Sequence, residues 1–391
     1  MIQSKKMGGI PASRIRKMFD EANLLRTKGR DIISLALGEP DFNTPPHIID
    51  AMVDAARSGS THYTANKGIV ELRQAICSKL LHDHNIHYNV DEIIATVGVT
   101  EGVFIALTSF LDPGDEVLIP DPTWLNYIHV PVLNGAIPVV YTVSQENNFQ
   151  ISIDEVKKKI TKRTKMIVIL DPSNPTGGVQ TKETLSKVAE LALEHDLLVL
   201  SDEIYGEIIF DDNIHYSIAK FPGMKERTVL LNGFSKAYAM TGWRLGYVAA
   251  SQKLIDVMNR LHSFNVTSTA TMVQWGGVAA LNGTQEPMKY MVKEFQKRRD
   301  FLVEALNGTK GLNCLNPGGT FYVFPKIRGI GMSGDEYANY LLHEAGVAVV
   351  PGSVFGSHGT HHVRLSCATS MDELTKAADR IYHATEKLPG Y

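Results

Sequence analysis

Through the middle of the chain, short apolar runs alternate with longer stretches of helical periodicity. Runs of strand length occur at Ile93–Val97, Glu116–Ile119, Pro138–Tyr141, Met166–Leu170, Leu197–Ser201, Val229–Asn232 and Leu245–Ala249. Several carry Val and Ile on both alternations, which predicts strands buried on both faces. Between them, Thr181–His195 (TKETLSKVAELALEH) shows the clearest helical spacing. Thr181 is placed to cap that helix, and Glu183 in the first turn suits the positive end of its dipole. Position 184 is a threonine, so the glutamate of a full capping box is absent. Glycine and proline punctuate the strand ends, as in Asp112-Pro113-Gly114-Asp115, Asp171-Pro172 and Asn174-Pro175-Thr176-Gly177-Gly178. Strands alternating with helices predict an α/β fold, a large domain with a mainly parallel sheet flanked by helices.

After about residue 280 the pattern changes. A long charged helix over Pro287–Leu306 precedes short strands near Thr320–Phe324, Val347–Val350 and His362–Ser366. This predicts a smaller α+β domain. The expected division is a large domain over 46–280 and a small domain over 281–391 that includes the N-terminal segment 1–45. That segment, with its GEPDF and proline turns, is free to pack with either domain. The length of 391 residues fits this arrangement. A hydrophobic share of 44% with 21% charged residues excludes a disordered chain. The net charge of −3 builds no positive field for sequence-independent nucleic-acid binding. The start, MIQSKKMGGI, has no apolar core of a secretory signal, and no run approaches the roughly 20 apolar residues that span a bilayer. Cys77, Cys314 and Cys367 form no CxxC pair, so neither a zinc site nor a disulfide framework is implied. A cytoplasmic protein without membrane or nucleic-acid partners is expected.

The richest stretch is Ser235-Lys236-Ala237-Tyr238-Ala239-Met240-Thr241-Gly242-Trp243-Arg244-Leu245-Gly246. It follows a predicted strand, so Lys236 falls at a carboxyl end, where α/β sheets bind ligands. The lysine suits a Schiff base with a carbonyl compound, and Ser235 with Arg244 suits a phosphate. Asp202, in Ser201-Asp202-Glu203-Ile204-Tyr205, ends another strand; it could equally cap a helix, and Glu203 is its rival. Asn174 follows Met166–Leu170, though Asn-Pro alone is usually a turn. Val97-Gly98-Val99-Thr100-Glu101-Gly102 opens a helix, whose free amides favour a phosphate. Arg364 sits in the apolar run His362–Ser366, a costly place for a guanidinium without a partner; its planar fork suits a carboxylate. Trp124 alone reads as core. His361-His362 and His82-x-His84 invite a metal reading. The first pair would point to opposite faces of a strand. The second has no matching set of carboxylate and cysteine ligands. All are expected at the surface, and no metal is expected.

In this order and spacing the motifs resemble class I aminotransferases, fold-type I enzymes dependent on pyridoxal 5'-phosphate (PLP), most nearly the prokaryotic aspartate and aromatic branch. The resemblance runs from Gly38-Glu39-Pro40-Asp41-Phe42 to Val363-Arg364-Leu365-Ser366. It implies that Lys236 carries PLP and later moves the substrate α-proton, with its pKa lowered by burial and by Arg244. It implies that Asp202 keeps the pyridine nitrogen protonated, that Tyr205 and Asn174 bind the ring 3-oxygen, and that Ile204 and Trp124 pack on the ring. Thr100, Glu101, Ser235 and Arg244 would hold the phosphate; Glu101 departs from the pattern, since an acid there can help only through its backbone. Tyr63, in Thr61-His62-Tyr63-Thr64-Ala65-Asn66-Lys67-Gly68, would reach the phosphate of a neighbouring subunit, which implies a homodimer. Arg364 would bind the substrate α-carboxylate, with Asn174, Trp124 and the backbone of Gly38 beside it. The implied reaction is ping-pong transfer from an L-amino acid to a 2-oxo acid, 2-oxoglutarate, with aspartate slightly ahead of aromatic donors. A dicarboxylate needs a second cation, for which Arg14, Arg16, Arg26 and Arg30 are all candidates. A PLP lyase would use the same lysine, aspartate and arginine. A nicotinamide dehydrogenase would want a GxGxxG that is absent after the first strand.

Overall fold

Seven apolar runs assemble into one sheet in the computed structural model, which describes residues 4–388. Its strands are β1 (Ile93–Thr96), β2 (Glu116–Asp121), β3 (Ile137–Thr142), β4 (Thr164–Leu170), β5 (Leu198–Asp202), β6 (Thr228–Gly233) and β7 (Gly246–Ala249). They lie in the order β1-β7-β6-β5-β4-β2-β3. Strands β2 to β6 run parallel, and β7 runs antiparallel to both β1 and β6. The reversal matters for the site: the loop between β6 and β7 leaves and re-enters the sheet at one end. Lys236 and Arg244, near its two ends, therefore share an edge.

The double-sided apolar pattern has a direct cause. Ile94, Val117, Val168, Leu200, Val229 and Val248 pack on one face with Val103, Ala106 and Leu107 of the helix Gly98–Phe110. Their neighbours Ile93, Leu230 and Tyr247 face the helix Val70–His84 on the other side, while Leu118, Ile167 and Val199 face the helix Lys182–Glu194. Only the edge strand β3 is partly open. Thr181 caps the helix as its position predicts, its hydroxyl accepting from the Thr184 amide at 3.1 Å. The Thr184 hydroxyl lies 2.9 Å from that of Thr181, and the Thr181 amide, which a capping-box glutamate would accept from, donates to Gln150 Oε1 at 3.0 Å.

Beyond the sheet, the helix Glu286–Asn307 packs against a three-stranded antiparallel sheet of Tyr322–Val323, Val363–Ser366 and Val350–Pro351. Leu302, Val323, Val349, Leu365, Leu374 and Ile381 share a core with Ile33 and Leu35 of the N-terminal segment. Ile33–Ser34 runs parallel to Val347–Ala348. The segment thus packs with the C-terminal part first, then crosses to the large sheet, where the Thr44 hydroxyl donates to Ala239 O at 2.7 Å. Among the described residues, no helix is long and apolar enough to cross a membrane.

The surface placement of the histidines fails for two of four. His362 is buried and lies flat against Phe324, ring centroids 4.7 Å apart. His84 packs edge-on to His215 at 5.4 Å, while His82 is exposed. Two residues along a helix are about 200° apart, so His82 and His84 face opposite ways.

Candidate active site

The carboxyl ends of β4, β5 and β6 open onto a cavity of about 300 Å³, bounded by the start of the helix Gly98–Phe110 and roofed by residues 36–39. Lys236 lies on its wall and its ammonium donates to Gly38 O at 2.5 Å. Burial, then the guanidinium of Arg364, lowers the lysine pKa to about 8. Arg244 adds less than Arg364, so the principal cationic neighbour is not the one the sequence singles out. Glu39 and Asp202 oppose the shift.

Asp202 ends β5 at the cavity. Its Oδ2 accepts from the Tyr127 hydroxyl at 2.6 Å and its Oδ1 from the Ile204 amide at 3.2 Å. The chain then turns and enters no helix, so the carboxylate caps nothing. Burial pushes its pKa up to about 6 against the pull of those donors and of Lys236. Strand alternation sends its rival Glu203 to the far side, where Ser201 and Ser217 each donate at 2.8 Å.

Arg364 is 1% exposed in its strand. Nη1 donates to Asn174 Oδ1 at 2.9 Å and Nη2 to Ala36 O at 2.8 Å, while Nε has no partner. The guanidinium stacks over the Tyr322 ring at 4.2 Å. The Tyr322 hydroxyl lies 3.0 Å from that of Tyr205, so the arginine and the tyrosine beside Asp202 belong to one network.

At the other end, Gly98 opens its helix at φ +69°. A Cβ there would stand 2.5 Å from Arg244 Nη2, so only glycine lets the guanidinium lie against the helix start. Thr100, Ser235, Trp124 and Gly38 also line the cavity. Glu101 does not: its Oε2 accepts from the Val97 amide at 2.6 Å, and its Oε1 lies 2.8 Å from His262 Nδ1. Tyr63 is also outside the cavity wall, 88% exposed. Of the N-terminal arginines, Arg14 reaches Asp335 and Ser353, Arg16 reaches Asp20, Arg26 holds Ile32 O and Arg30 holds His343 O. None lines the cavity, where Ile15 and Leu37 contribute apolar surface instead. Tyr127 and Tyr322 went unnoticed in the sequence. A signal exists for Tyr127, which follows Trp124 by three residues and so lies near it on a helical turn.

A mainly parallel sheet whose carboxyl ends gather an amine, a carboxylate and guanidinium groups around one cavity has the form of an α/β enzyme site. Comparison places it further. The aminotransferase class I and II family model matches residues 30–381, and the chain belongs to that family. It is 43% identical over 384 residues to an aspartate aminotransferase of Pyrococcus abyssi, and 40% identical over 384 residues to aromatic-amino-acid aminotransferase 2 of Thermococcus litoralis, covering 97% of each chain in both cases. The solved aspartate aminotransferase of Rhizobium meliloti superposes with a TM-score of 0.96 at 36% identity, with 100% of both chains covered. The chain is a fold-type I, PLP-dependent transaminase. Its residues fit that cofactor: a primary amine of lowered pKa and a buried carboxylate on one cavity, with the helix start at Thr100, Ser235 and the guanidinium of Arg244 lining its wall for a phosphate.

Proposed function

We propose that the protein moves an amino group from an L-amino acid, aspartate first, to 2-oxoglutarate in two half-reactions with ping-pong kinetics. It works as a homodimer in a reducing cytoplasm. The observation that carries the reading is the convergence of Lys236, Asp202 and the Arg364–Asn174 pair on one cavity. PLP, when bound, supplies the electron sink that makes a substrate α-proton acidic. Lys236 would hold the cofactor through its Nζ, and the same amine would take and return that proton. Asp202 keeps a proton on the ring nitrogen, with Tyr127 and the Ile204 amide fixing the carboxylate. Tyr205 and Asn174 would bind the ring oxygen, and Trp124 would pack on the ring, all three lining the cavity. Arg364 turns its fork to the α-carboxylate beside Gly38 and Asn174. The amides of Thr100 and Glu101, with Ser235 and Arg244, take the phosphate. The partner's copy of Tyr63 completes that site; its 88% exposure in a single chain supports the role. The reading divides the chain into a large domain, 46–280, and a small domain, 281–391 with 1–45. A core that draws on Ile33, Leu35 and residues from Leu302 to Ala384, and on nothing between 46 and 280, supports the division.

One observation favours a second reading, aromatic donors. The cationic residues lining the cavity are Lys236, Arg244 and Arg364, which the scheme already uses, and Ile15 and Leu37 offer apolar contact. Aspartate keeps its lead through the Pyrococcus abyssi relative. The test is the visible spectrum of the PLP-loaded protein titrated with aspartate, then with tyrosine or phenylalanine. Bleaching at lower aspartate concentration supports the first reading, and the reverse order supports the second. Release of pyruvate and ammonia without an added 2-oxo acid would make it a lyase. A protein that gains no visible band from added PLP ends both readings.

A further inference from the structure

On the side of β5 away from the cavity, buried polar groups meet without partners. The side chains of Asp171, Glu203 and His215 are 2%, 1% and 3% exposed. Asp171 Oδ2, Glu203 Oε2 and both ring nitrogens of His215 make no hydrogen bond. His215 Nε2 lies 3.9 Å from that Asp171 oxygen and 3.8 Å from that Glu203 oxygen. The ring of His84 closes the group from the surface side, and one ligand atom each from His84, Glu203 and His215 falls within 4.8 Å of the others.

Buried polar atoms without a partner are costly, and in folded proteins they are paired, hydrated or bound to metals. Neither ring nitrogen of His215 is engaged by the protein, so one is open to a ligand. The carboxylates are also oriented from behind. Ser201 and Ser217 hold the other oxygen of Glu203, and the Gln180 amide holds that of Asp171 at 2.8 Å. His84 is the last residue of the helix Val70–His84, whose negative end favours a cation. The neighbouring ammonium of Lys79 is already tied to Asp83 and Glu207.

We propose that His84, His215 and Glu203 form a buried three-residue site for a divalent metal ion, zinc by the chemistry of the set, with Asp171 beside His215 at its edge. Two imidazoles and a carboxylate are donors zinc accepts. Zinc bonds of about 2.0–2.2 Å set tetrahedral ligand atoms roughly 3.3–3.6 Å apart. The 3.8 Å between His215 and Glu203 is close to that range, and the His84 nitrogen, within 4.8 Å of both, reaches it by a larger rotation of its half-buried ring. A lone water, which takes hydrogen bonds of about 2.8 Å, is the competing occupant. The site touches the chemistry only through the chain: Glu203 follows Asp202, and Asp171 begins the turn that carries Asn174.

The experiment uses the PLP-loaded protein, treated with chelator, freed of unbound PLP and titrated with zinc chloride. The expected result is one zinc retained per chain after desalting, with a raised unfolding midpoint. His84→Ala should weaken retention by about tenfold or more. His82→Ala, an exposed neighbour, should leave it unchanged. The visible absorbance of each variant reports that its fold is intact. No zinc retained at micromolar concentration, or equal retention by His84→Ala, overturns the proposal in favour of the water.

Discussion

Lys236 illustrates how surroundings decide what a residue can do. An ordinary lysine is almost wholly protonated near neutrality and cannot attack a carbonyl. Enclosure and the guanidinium of Arg364 bring this one to about 8, so neutral amine becomes abundant within a unit of physiological pH. The rate at which the stripped protein reloads PLP should therefore rise about fivefold from pH 7 to pH 8, and less than twofold from pH 8 to pH 9. A rate climbing nearly tenfold from pH 8 to pH 9 would show an unshifted lysine, and Lys236→Ala should not form the visible band at all. Arg364 carries the second expectation at this scale. Removing a buried charged partner costs about 2–5 kcal/mol, so Arg364→Ala should lower kcat/KM by about 30-fold or more for every donor, chiefly through KM. An effect confined to one donor would move the α-carboxylate contact elsewhere. Motif residues were legible because each stands at a strand end or in a short spaced run. Tyr127 and Tyr322 were not, because their partners Asp202 and Tyr205 lie 75 and 117 residues away and no local spacing records that distance.

At the scale of elements, the apolar runs mark the strands because every one has covered faces, and only β3 at the edge weakens the signal. The direction of β7 was not legible. Periodicity shows that a run is a strand, whereas its direction depends on where the preceding loop returns. That loop carries Lys236 and Arg244 back to the end of the sheet it left, and Gly98 makes room for the arginine there. Gly98→Ala would force a side chain into left-handed backbone and against Arg244, with a conformational cost of about 1–2 kcal/mol. PLP affinity should fall by about tenfold or more, measured by equilibrium reloading. Affinity equal to that of the parent would mean that the helix start does not serve the phosphate. The misplacement of His84 has the same origin as the hidden direction of β7: which side of a helix finds a partner is settled by what packs against it.

For the whole molecule, Tyr63 and Phe264 are 88% and 91% exposed, large side chains without cover in a single chain. If the partner's Tyr63 completes each site, two defective chains should repair one another. Refolding Tyr63→Ala together with Lys236→Ala yields mixed dimers with one intact site, which places Lys236 of one chain opposite Tyr63 of the other. Activity above the mean of the two parents is expected, and activity equal to that mean would make the sites self-contained.

The roof of the cavity has a mutational consequence. Ala36 and Gly38 engage Arg364 and Lys236 through main-chain carbonyls, not through side chains. A point mutation cannot delete a carbonyl. Gly38 is constrained, because a Cβ there would collide with the Tyr322 hydroxyl, but Leu37 between the two is partly exposed and faces the cavity. Substitution at position 37 can therefore alter the apolar surface of the cavity while leaving both main-chain acceptors in place.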